Sequence, residues 1–174
     1  MSGYDSFIRH LRRLAAATGL IVLLFGGGSC DTFDCPLNNT VVATYGFYSA
    51  EEDGNWISVK LMDTLTVTAG GTDSVLLNRD YSISNIKLPM SYTGETDTLA
   101  FRFSNAEQQV TRDTIWVTKT NYEHYESPSC PSSMFHTITH IRCTRRVIDT
   151  VRIANPNIDY NGTENIQILF RSGN

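Results

Sequence analysis

Hydrophobic and polar residues alternate with a period of two along most of the chain after residue 40. In the first such run, Val41, Ala43, Tyr45 and Phe47 share one side of an extended chain, and mostly smaller or polar residues share the other. The further alternating or strand-like runs are 57–61, 64–68, 74–77, 99–103, 114–118, 135–142, 147–153 and 165–170. Such alternation, rich in β-branched and aromatic residues, is typical of half-buried β-strands.

Residues that favour tight turns separate these runs at short intervals. They are Asp53-Gly54-Asn55, Gly70-Gly71, Thr93-Gly94, Asn155-Pro156-Asn157 and Asn161-Gly162. Many short strands divided by such turns favour two packed sheets. We expect residues 40–174 to form an all-β domain, an immunoglobulin-like β-sandwich of about seven to nine antiparallel strands, with a barrel as the alternative. No helix longer than one or two turns is expected after Cys30.

The first 29 residues have a different pattern, with three successive zones. A basic segment containing Arg9, Arg12 and Arg13 precedes an apolar run at 14–25, and small residues follow at 26–29. A basic head, a short apolar helix and a small-residue cleavage zone are typical of a secretory signal peptide. A transmembrane anchor is disfavoured because a span needs about 20 apolar residues.

Cys30 directly follows the small residues and indicates a lipoprotein signal. Gly28-Ser29-Cys30 supplies the small residues that lipoprotein signal peptidase needs, although Gly27 stands where leucine is usual. We therefore expect a signal peptide at 1–29, acylation of Cys30 and a short lipid tether at 30–39. Several acyl chains on one cysteine suffice for stable membrane anchoring. The alternative is a secreted protein that is cut near the glycines and keeps Cys30 as an ordinary thiol.

Length and charge limit the partners of the exported chain. Residues 30–174 carry 11 Lys or Arg and 17 Asp or Glu, a net charge of −6, and are long enough for one domain with its own core. A mildly acidic chain without a basic cluster argues against nucleic acid as a partner. We expect the membrane, through the lipid anchor, to be the first partner.

Three cysteines remain beyond Cys30, and an exported chain meets an oxidising compartment. We favour a disulfide between Cys35 and Cys130, because proline follows each of them at the margin of a strand region. Pairing of Cys130 with Cys143 is the alternative. In the favoured pairing, five residue steps separate Cys30 from Cys35, which keeps the domain within about 18 Å of the lipid attachment point.

A tripeptide of Asp, a hydroxyl residue and an aliphatic residue occurs five times. The hydroxyl residues are Thr64, Ser74, Thr98, Thr114 and Thr150. One interpretation is geometric: the Asp satisfies backbone groups at a turn, and the next two residues start a strand. The form also resembles the O-glycosylation acceptor pattern of exported Bacteroidetes proteins, which makes these five residues candidate modification sites.

No catalytic, cofactor-binding or metal-ligating set stands out in the sequence. His136 and His140 would share a metal only on a helix, whereas in a strand they stand about 13 Å apart. Cys143 beside His140 is a weak candidate for a nucleophile pair. Trp56 and Trp116 suit a sugar-stacking face, but strand aromatics more commonly pack in the core or as cross-strand pairs. We expect no cofactor.

Two segments carry a family resemblance. The start CDTFDCP and the closing run SPSC…FHTITHIRC…VIDTVRIANPNIDYNGTENIQILF resemble an uncharacterised family of Bacteroidetes lipoproteins, a domain of unknown function, over residues 30–170. The resemblance implies a lipoprotein β-domain with no assigned activity. Asp31 and Asp34 resemble a short form of the acidic tag that sends lipoproteins of that phylum to the cell surface.

These observations favour a cell-envelope lipoprotein of the outer membrane, with the periplasmic face and the cell surface as alternative locations. We expect a non-enzymatic binding or structural module with a protein or glycan partner. The alternative is an envelope hydrolase whose site forms only in three dimensions.

Overall fold

The computed structural model describes residue 35 and residues 40–171, all within one compact unit, Cys35–Asn174. The regular structure in these residues consists of the strands β1 (Val42–Ala50), β2 (Trp56–Ser58), β3 (Thr64–Ala69), β4 (Val75–Asp80), β5 (Asn85–Pro89), β6 (Thr96–Ser104), β7 (Val110–His124), β8 (Ser133–Cys143), β9 (Ile148–Ile153), β10 (Asn157–Ile158) and β11 (Glu164–Phe170). Within this described part, no helix is long and apolar enough to cross a bilayer. The predicted signal helix (1–29) and Cys30 lie outside the described residues, and the boundaries at 29/30 and 39/40 stay predictions.

The strands form two sheets. The five-stranded sheet has the order β2-β1-β11-β9, and β5 pairs with β1 beside β2. The six-stranded sheet has the order β10-β8-β7-β6-β3-β4. The central strands of this second sheet, β6, β7 and β8, follow one another as hairpins, because turn-forming segments separate them.

The all-β sandwich predicted from the alternation is confirmed, with two differences. The described residues hold eleven strands rather than seven to nine, and the two that no predicted run covers are the short strands β5 and β10. The first and last strands, β1 and β11, also pair in parallel rather than antiparallel. Their pairing joins residues more than 110 positions apart, so it cannot be predicted from a turn sequence between neighbouring strands.

Aromatic and aliphatic side chains from both sheets meet between them. Phe47 and Phe170 of the five-stranded sheet pack edge to face, with ring centroids 5.3 Å apart. Phe103 of the six-stranded sheet packs against the same Phe170 ring at 6.0 Å. These side chains are almost fully buried, and burial of each stabilises the fold by about 2 kcal/mol. The core therefore lies between the sheets, as the alternation predicts.

Candidate functional sites

A buried polar group, which we call the Lys119 cluster, lies at one end of the core and consists of Asp97, Lys119, Asn121 and His136. Lys119 follows Ile115 and Val117 on the inward face of β7, so strand alternation directs its side chain into the protein. Its Nζ donates hydrogen bonds to the Ser91 carbonyl oxygen (2.8 Å), the Gly94 carbonyl oxygen (2.7 Å) and Asn121 Oδ1 (2.7 Å).

His136 and Asp97 complete the cluster. His136 Nδ1 lies 2.8 Å from Asn121 Oδ1 and 3.3 Å from Lys119 Nζ, and Asp97 Oδ2 lies 4.0 Å from the same Nζ. Burial lowers the pKa of Lys119, and the Asp97 carboxylate opposes this shift. Burial, reinforced by the Lys119 charge and opposed by Asp97, lowers the pKa of His136 to about 4.

Lys119 and His136, at the centre of the cluster, are closed to solvent, whereas Asp97 and Asn121 are half-buried. Lys119 is 1% exposed and His136 is 2% exposed. An ammonium group has three donors, and three oxygen acceptors already receive them. Because Ser91 and Gly94 belong to the loop between β5 and β6, the cluster fastens that loop to the six-stranded sheet.

A second buried charge, Asp113, lies on the same inward face of β7 and is 1% exposed. It accepts hydrogen bonds from Thr144 Oγ1 (2.6 Å) and from the backbone N–H groups of Arg146, Val147 and Ile148 (2.7–3.0 Å). Four donors to one carboxylate hold the β8–β9 loop in place. The geometric interpretation of the Asp-hydroxyl-aliphatic tripeptide is wrong at this position, because Asp113 lies within β7 and satisfies a distant loop rather than a turn that starts a strand.

A partly exposed polar and aromatic group lies on the outer face of the five-stranded sheet. We call it the Tyr48–Trp56 face, and it consists of Tyr48, Trp56, Arg152, Glu164 and Gln167. Tyr48 and Trp56 lie on the neighbouring strands β1 and β2, with ring centroids 6.2 Å apart. The Arg152 guanidinium carbon lies 3.9 Å above the Trp56 ring, a cation–π contact.

Hydrogen bonds connect the polar members of the Tyr48–Trp56 face. Glu164 Oε1 accepts from the Tyr48 hydroxyl (2.8 Å) and from Gln167 Nε2 (2.6 Å), and Arg152 Nε donates to Gln167 Oε1 (2.5 Å). Partial burial and the hydrogen bond to Glu164 raise the pKa of Tyr48. Within the described residues, Glu164 Oε2 and the terminal nitrogens of Arg152 make no hydrogen bond.

Gly46 gives the Glu164 carboxylate its place on this face. A Cβ at Gly46 would collide with Glu164 Oε2, so a side chain there would displace the carboxylate from the sheet surface. The absence of a side chain at Gly46 therefore sets the position of an acidic group beside two aromatic rings.

The outer face of the six-stranded sheet carries a similar stack. The Arg142 guanidinium carbon lies 3.8 Å above the Trp116 ring, and Arg142 and Trp116 are register partners on β8 and β7. Both tryptophans are half-exposed and lie on outer faces, where they form cross-strand pairs with Tyr48 and Arg142, one of the two arrangements expected, rather than core contacts. No carboxylate forms an ion pair with Arg142 in the part of the chain that the structure describes.

The cysteines beyond Cys30 occupy distinct positions. Cys35 and Cys130 lie at disulfide distance, with their Cα atoms 5.5 Å apart, in the pairing that the prolines favoured. Cys143 packs half-buried against the core from the inward side of β8, as expected for a small hydrophobic side chain. Burial raises the pKa of its thiol, which opposes formation of a reactive thiolate.

A β-bulge at Thr139 places His136 and His140 on opposite faces of β8, and His140 also lies on the face opposite to Cys143. Ile138 pairs with Lys119 and His140 pairs with Thr118, which leaves Thr139 between two register positions. The extra residue reverses the alternation, so that His136 is buried and His140 is exposed. Among the described residues, no group of three or more His, Cys, Asp or Glu side chains could hold a metal ion.

The five hydroxyl residues of the repeated tripeptide differ in exposure. Ser74 is exposed in the connection between β3 and β4, whereas Thr64, Thr98, Thr114 and Thr150 lie half-buried in strands. The Thr98 side chain also packs against Gly70. Ser74 is therefore the most accessible of the five candidate acceptors.

Comparison with known proteins identifies one family. A model described as a family of unknown function (DUF6452) matches residues 64–170, from the start of β3 to the end of β11. No curated protein and no solved structure matches the chain. The matched range includes the buried charged residues Asp113 and Lys119, and it begins after Tyr48 and Trp56.

Proposed function

The chain belongs to this family of unknown function (DUF6452), and from that premise we propose that it is a cell-envelope lipoprotein whose β-sandwich binds a glycan through the Tyr48–Trp56 face. The lipid would be attached to Cys30, and the domain would be a non-enzymatic binding module of the outer membrane.

The composition of the Tyr48–Trp56 face carries the proposal of glycan binding. Sugars present C–H groups, which pack on aromatic rings, and hydroxyls, which both donate and accept hydrogen bonds. Tyr48 and Trp56 supply the rings, Glu164 Oε2 is an unused acceptor, and the Arg152 terminal nitrogens are unused donors. A few convergent polar groups beside an aromatic surface are typical of ligand sites.

Preorganisation supports binding at this face. Arg152 stacks on Trp56 and also donates to Gln167, so both side chains already have fixed neighbours before a ligand arrives. Side chains that are ordered in advance lose less conformational entropy on binding.

The buried charges favour a binding module over a hydrolase. Strongly shifted pKa values often mark catalytic groups that line a cleft. Here the shifted groups of the Lys119 cluster are enclosed and hydrogen-bonded, which suits a structural role.

The sequence before the domain supports the lipid anchor. Basic, apolar and small-residue zones lead directly to Cys30. We expect Cys30→Ala to abolish labelling by radioactive palmitate and to prevent processing of the chain. A variant that is still labelled and processed would contradict the anchor, and Cys143→Ala is the matched control that should leave both unchanged.

Glycan binding is tested with the wild-type lipoprotein in liposomes. Outer-membrane polysaccharide and soluble peptidoglycan fragments are titrated separately, and binding is measured by calorimetry. We expect saturable binding of one of these probes without shortening of its chain by mass spectrometry. Shortening of the probe would indicate a hydrolase, and capture of a protein alone in cellular crosslinking would contradict a glycan ligand.

We also propose O-glycosylation at Ser74. The residue is exposed and follows Asp73 in the acceptor-like tripeptide. In protein from its native host, Ser74→Ala should lower the intact mass by the mass of one glycan, beyond the loss of the oxygen atom. The same pair of proteins is also made in a recombinant host that adds no glycan. If the mass difference between wild type and Ser74→Ala is the same in both hosts, Ser74 carries no sugar.

A further inference from the structure

Four exposed tyrosines lie together at the end of the sandwich where β7 turns into β8. Their exposed fractions are 47% for Tyr92, 46% for Tyr122, 58% for Tyr125 and 42% for Tyr160. Tyr122 and Tyr160 both pack edge to face on Phe135, with centroid distances of 5.9 and 5.0 Å. We call this set the tyrosine end.

Tyr92 and Tyr125 belong to the same end by independent contacts. Asn121 Nδ2 donates to the Thr93 carbonyl oxygen (3.2 Å), which brings the loop that carries Tyr92 against β7. Hydrogen bonding to Glu123 raises the pKa of Tyr125, and the nearby Tyr92 raises it slightly further.

The chain enters the domain at the tyrosine end. Cys130 lies between Tyr125 and the start of β8, and its pairing with Cys35 fixes residue 35 there. Thr40 forms a parallel bridge with Met134, next to Phe135. Cys35, the first residue that the structure describes, therefore lies at the same end as the four exposed rings.

We infer that the tyrosine end rests on the lipid headgroups of the membrane that holds the anchor. This inference depends on the proposed acylation of Cys30. Five residue steps join Cys30 to Cys35, so the tyrosine end stays within about 18 Å of the acyl chains. Tyrosine suits this position because its ring is apolar and its hydroxyl is polar, and it is enriched at membrane–water interfaces.

The charges of the tyrosine end specify the kind of lipid. Residues 120–135 contain Glu123 and Glu126 but no Lys or Arg. An acidic surface is repelled by anionic headgroups, because the negative surface potential attracts only basic segments. The tyrosine end therefore fits zwitterionic headgroups such as phosphatidylethanolamine.

Tyr81 provides a matched control at the other end of the molecule. It is 58% exposed, the same as Tyr125. Asp80, the residue before Tyr81, pairs with Leu65 of β3, and Leu65 pairs with Phe103 of β6. Tyr81 therefore lies near the β6–β7 turn. The 15 residues of β7 separate that turn from the tyrosine end by about 45 Å.

Surface iodination by lactoperoxidase tests the inference. The acylated protein is reconstituted in phosphatidylethanolamine liposomes, and a non-acylated Cys30→Ser chain, exported behind a cleavable secretory signal, is the reference. Initial rates at Tyr125 and Tyr81 are measured by peptide mass spectrometry. We expect the Tyr125:Tyr81 rate ratio to be at least threefold lower in liposomes than in the reference.

The outcomes separate this inference from the function on which it rests. An unchanged ratio in liposomes, with acyl chains present on Cys30, would overturn the contact and leave the lipoprotein intact. Protection of Tyr81 instead of Tyr125 would also overturn it, because the opposite end would face the lipid. Absence of acyl chains from Cys30 would contradict both the lipid anchor and the membrane contact of the tyrosine end.

Discussion

The Lys119 cluster and the Tyr48–Trp56 face are both networks of charged and hydrogen-bonding side chains, but only the first is enclosed at its centre. In the Lys119 cluster, the ammonium group has an oxygen acceptor for each of its three donors. On the Tyr48–Trp56 face, Glu164 uses one carboxylate oxygen, and the other has no partner among the described residues. The comparison indicates that buried charges with all their hydrogen bonds formed stabilise the fold, whereas partly exposed groups with unused donors or acceptors can bind a ligand.

The largest expected effect comes from opening the Lys119 cluster. Lys119→Ala removes the ammonium donor from the Ser91 and Gly94 carbonyls and from Asn121 Oδ1, and it creates a cavity. We expect the free energy of unfolding to fall by about 3 to 5 kcal/mol, measured by urea denaturation. Lys87→Ala, at an exposed position on β5, should change it by less than about 0.5 kcal/mol. Equal effects of the two variants would refute the structural role of the cluster.

Acid should weaken the same cluster through His136. Its pKa is about 4 in the folded protein and 6.5 in the unfolded chain, so the unfolded chain binds more protons between these values. Stability is therefore full above pH 6.5 and falls by up to about 3 kcal/mol as the pH is lowered to 4. His136→Gln should flatten this pH dependence of urea denaturation. The exposed His140→Gln should retain it, and loss of the dependence in that variant would contradict the assignment to His136.

Removing one ring of the Tyr48–Trp56 pair should weaken glycan binding more than it lowers stability. Trp56→Ala removes one ring and the support of Arg152, so we expect at least tenfold weaker binding of the polysaccharide probe, about 1.4 kcal/mol or more. Trp116→Ala is the matched control, because Arg142 stacks on Trp116 in the same way on the other sheet. Calorimetry should show binding within twofold of wild type for Trp116→Ala. Parallel losses in both variants would mean that the Tyr48–Trp56 face is not the site.

The smallest effect should come from removing the charge of the acceptor. Glu164→Gln keeps the size of the side chain and the contact with Tyr48, but it replaces one unused carboxylate oxygen by an amide. We expect about threefold to tenfold weaker probe binding, because a hydrogen bond contributes about 0.5 to 1.5 kcal/mol. The exposed Glu107→Gln should bind as wild type does. Unchanged binding by Glu164→Gln would restrict recognition to the aromatic rings.

Local patterns in the sequence determine much of the fold. Alternation identifies the core residues of β1, β3 and β6, because one face of each strand packs against the other sheet. It does not identify the parallel pairing of β1 with β11, which depends on contacts between the two ends of the chain. It also misses the bulge at Thr139, since a single extra residue reverses the faces without changing the composition.

The two networks differ in how far the sequence predicts them. A lysine in the inward series after Ile115 and Val117 is a signal for a buried charge, although its partners come from distant loops. Trp56 is recognisable as a stacking candidate, but its exposure depends on which face of β2 turns outward. Glu164 becomes part of the site only because Gly46, on another strand, leaves room for its carboxylate.

Hydrogen–deuterium exchange with and without saturating polysaccharide probe tests most directly whether the enclosed and open networks have separate roles. The wild-type lipoprotein in liposomes should show slower exchange of backbone amides in β1, β2 and β11 around the Tyr48–Trp56 face when the probe is bound. Exchange in β7 and β8 around the Lys119 cluster should stay the same. Protection confined to β7 and β8, or protection spread equally over both sheets, would contradict the account.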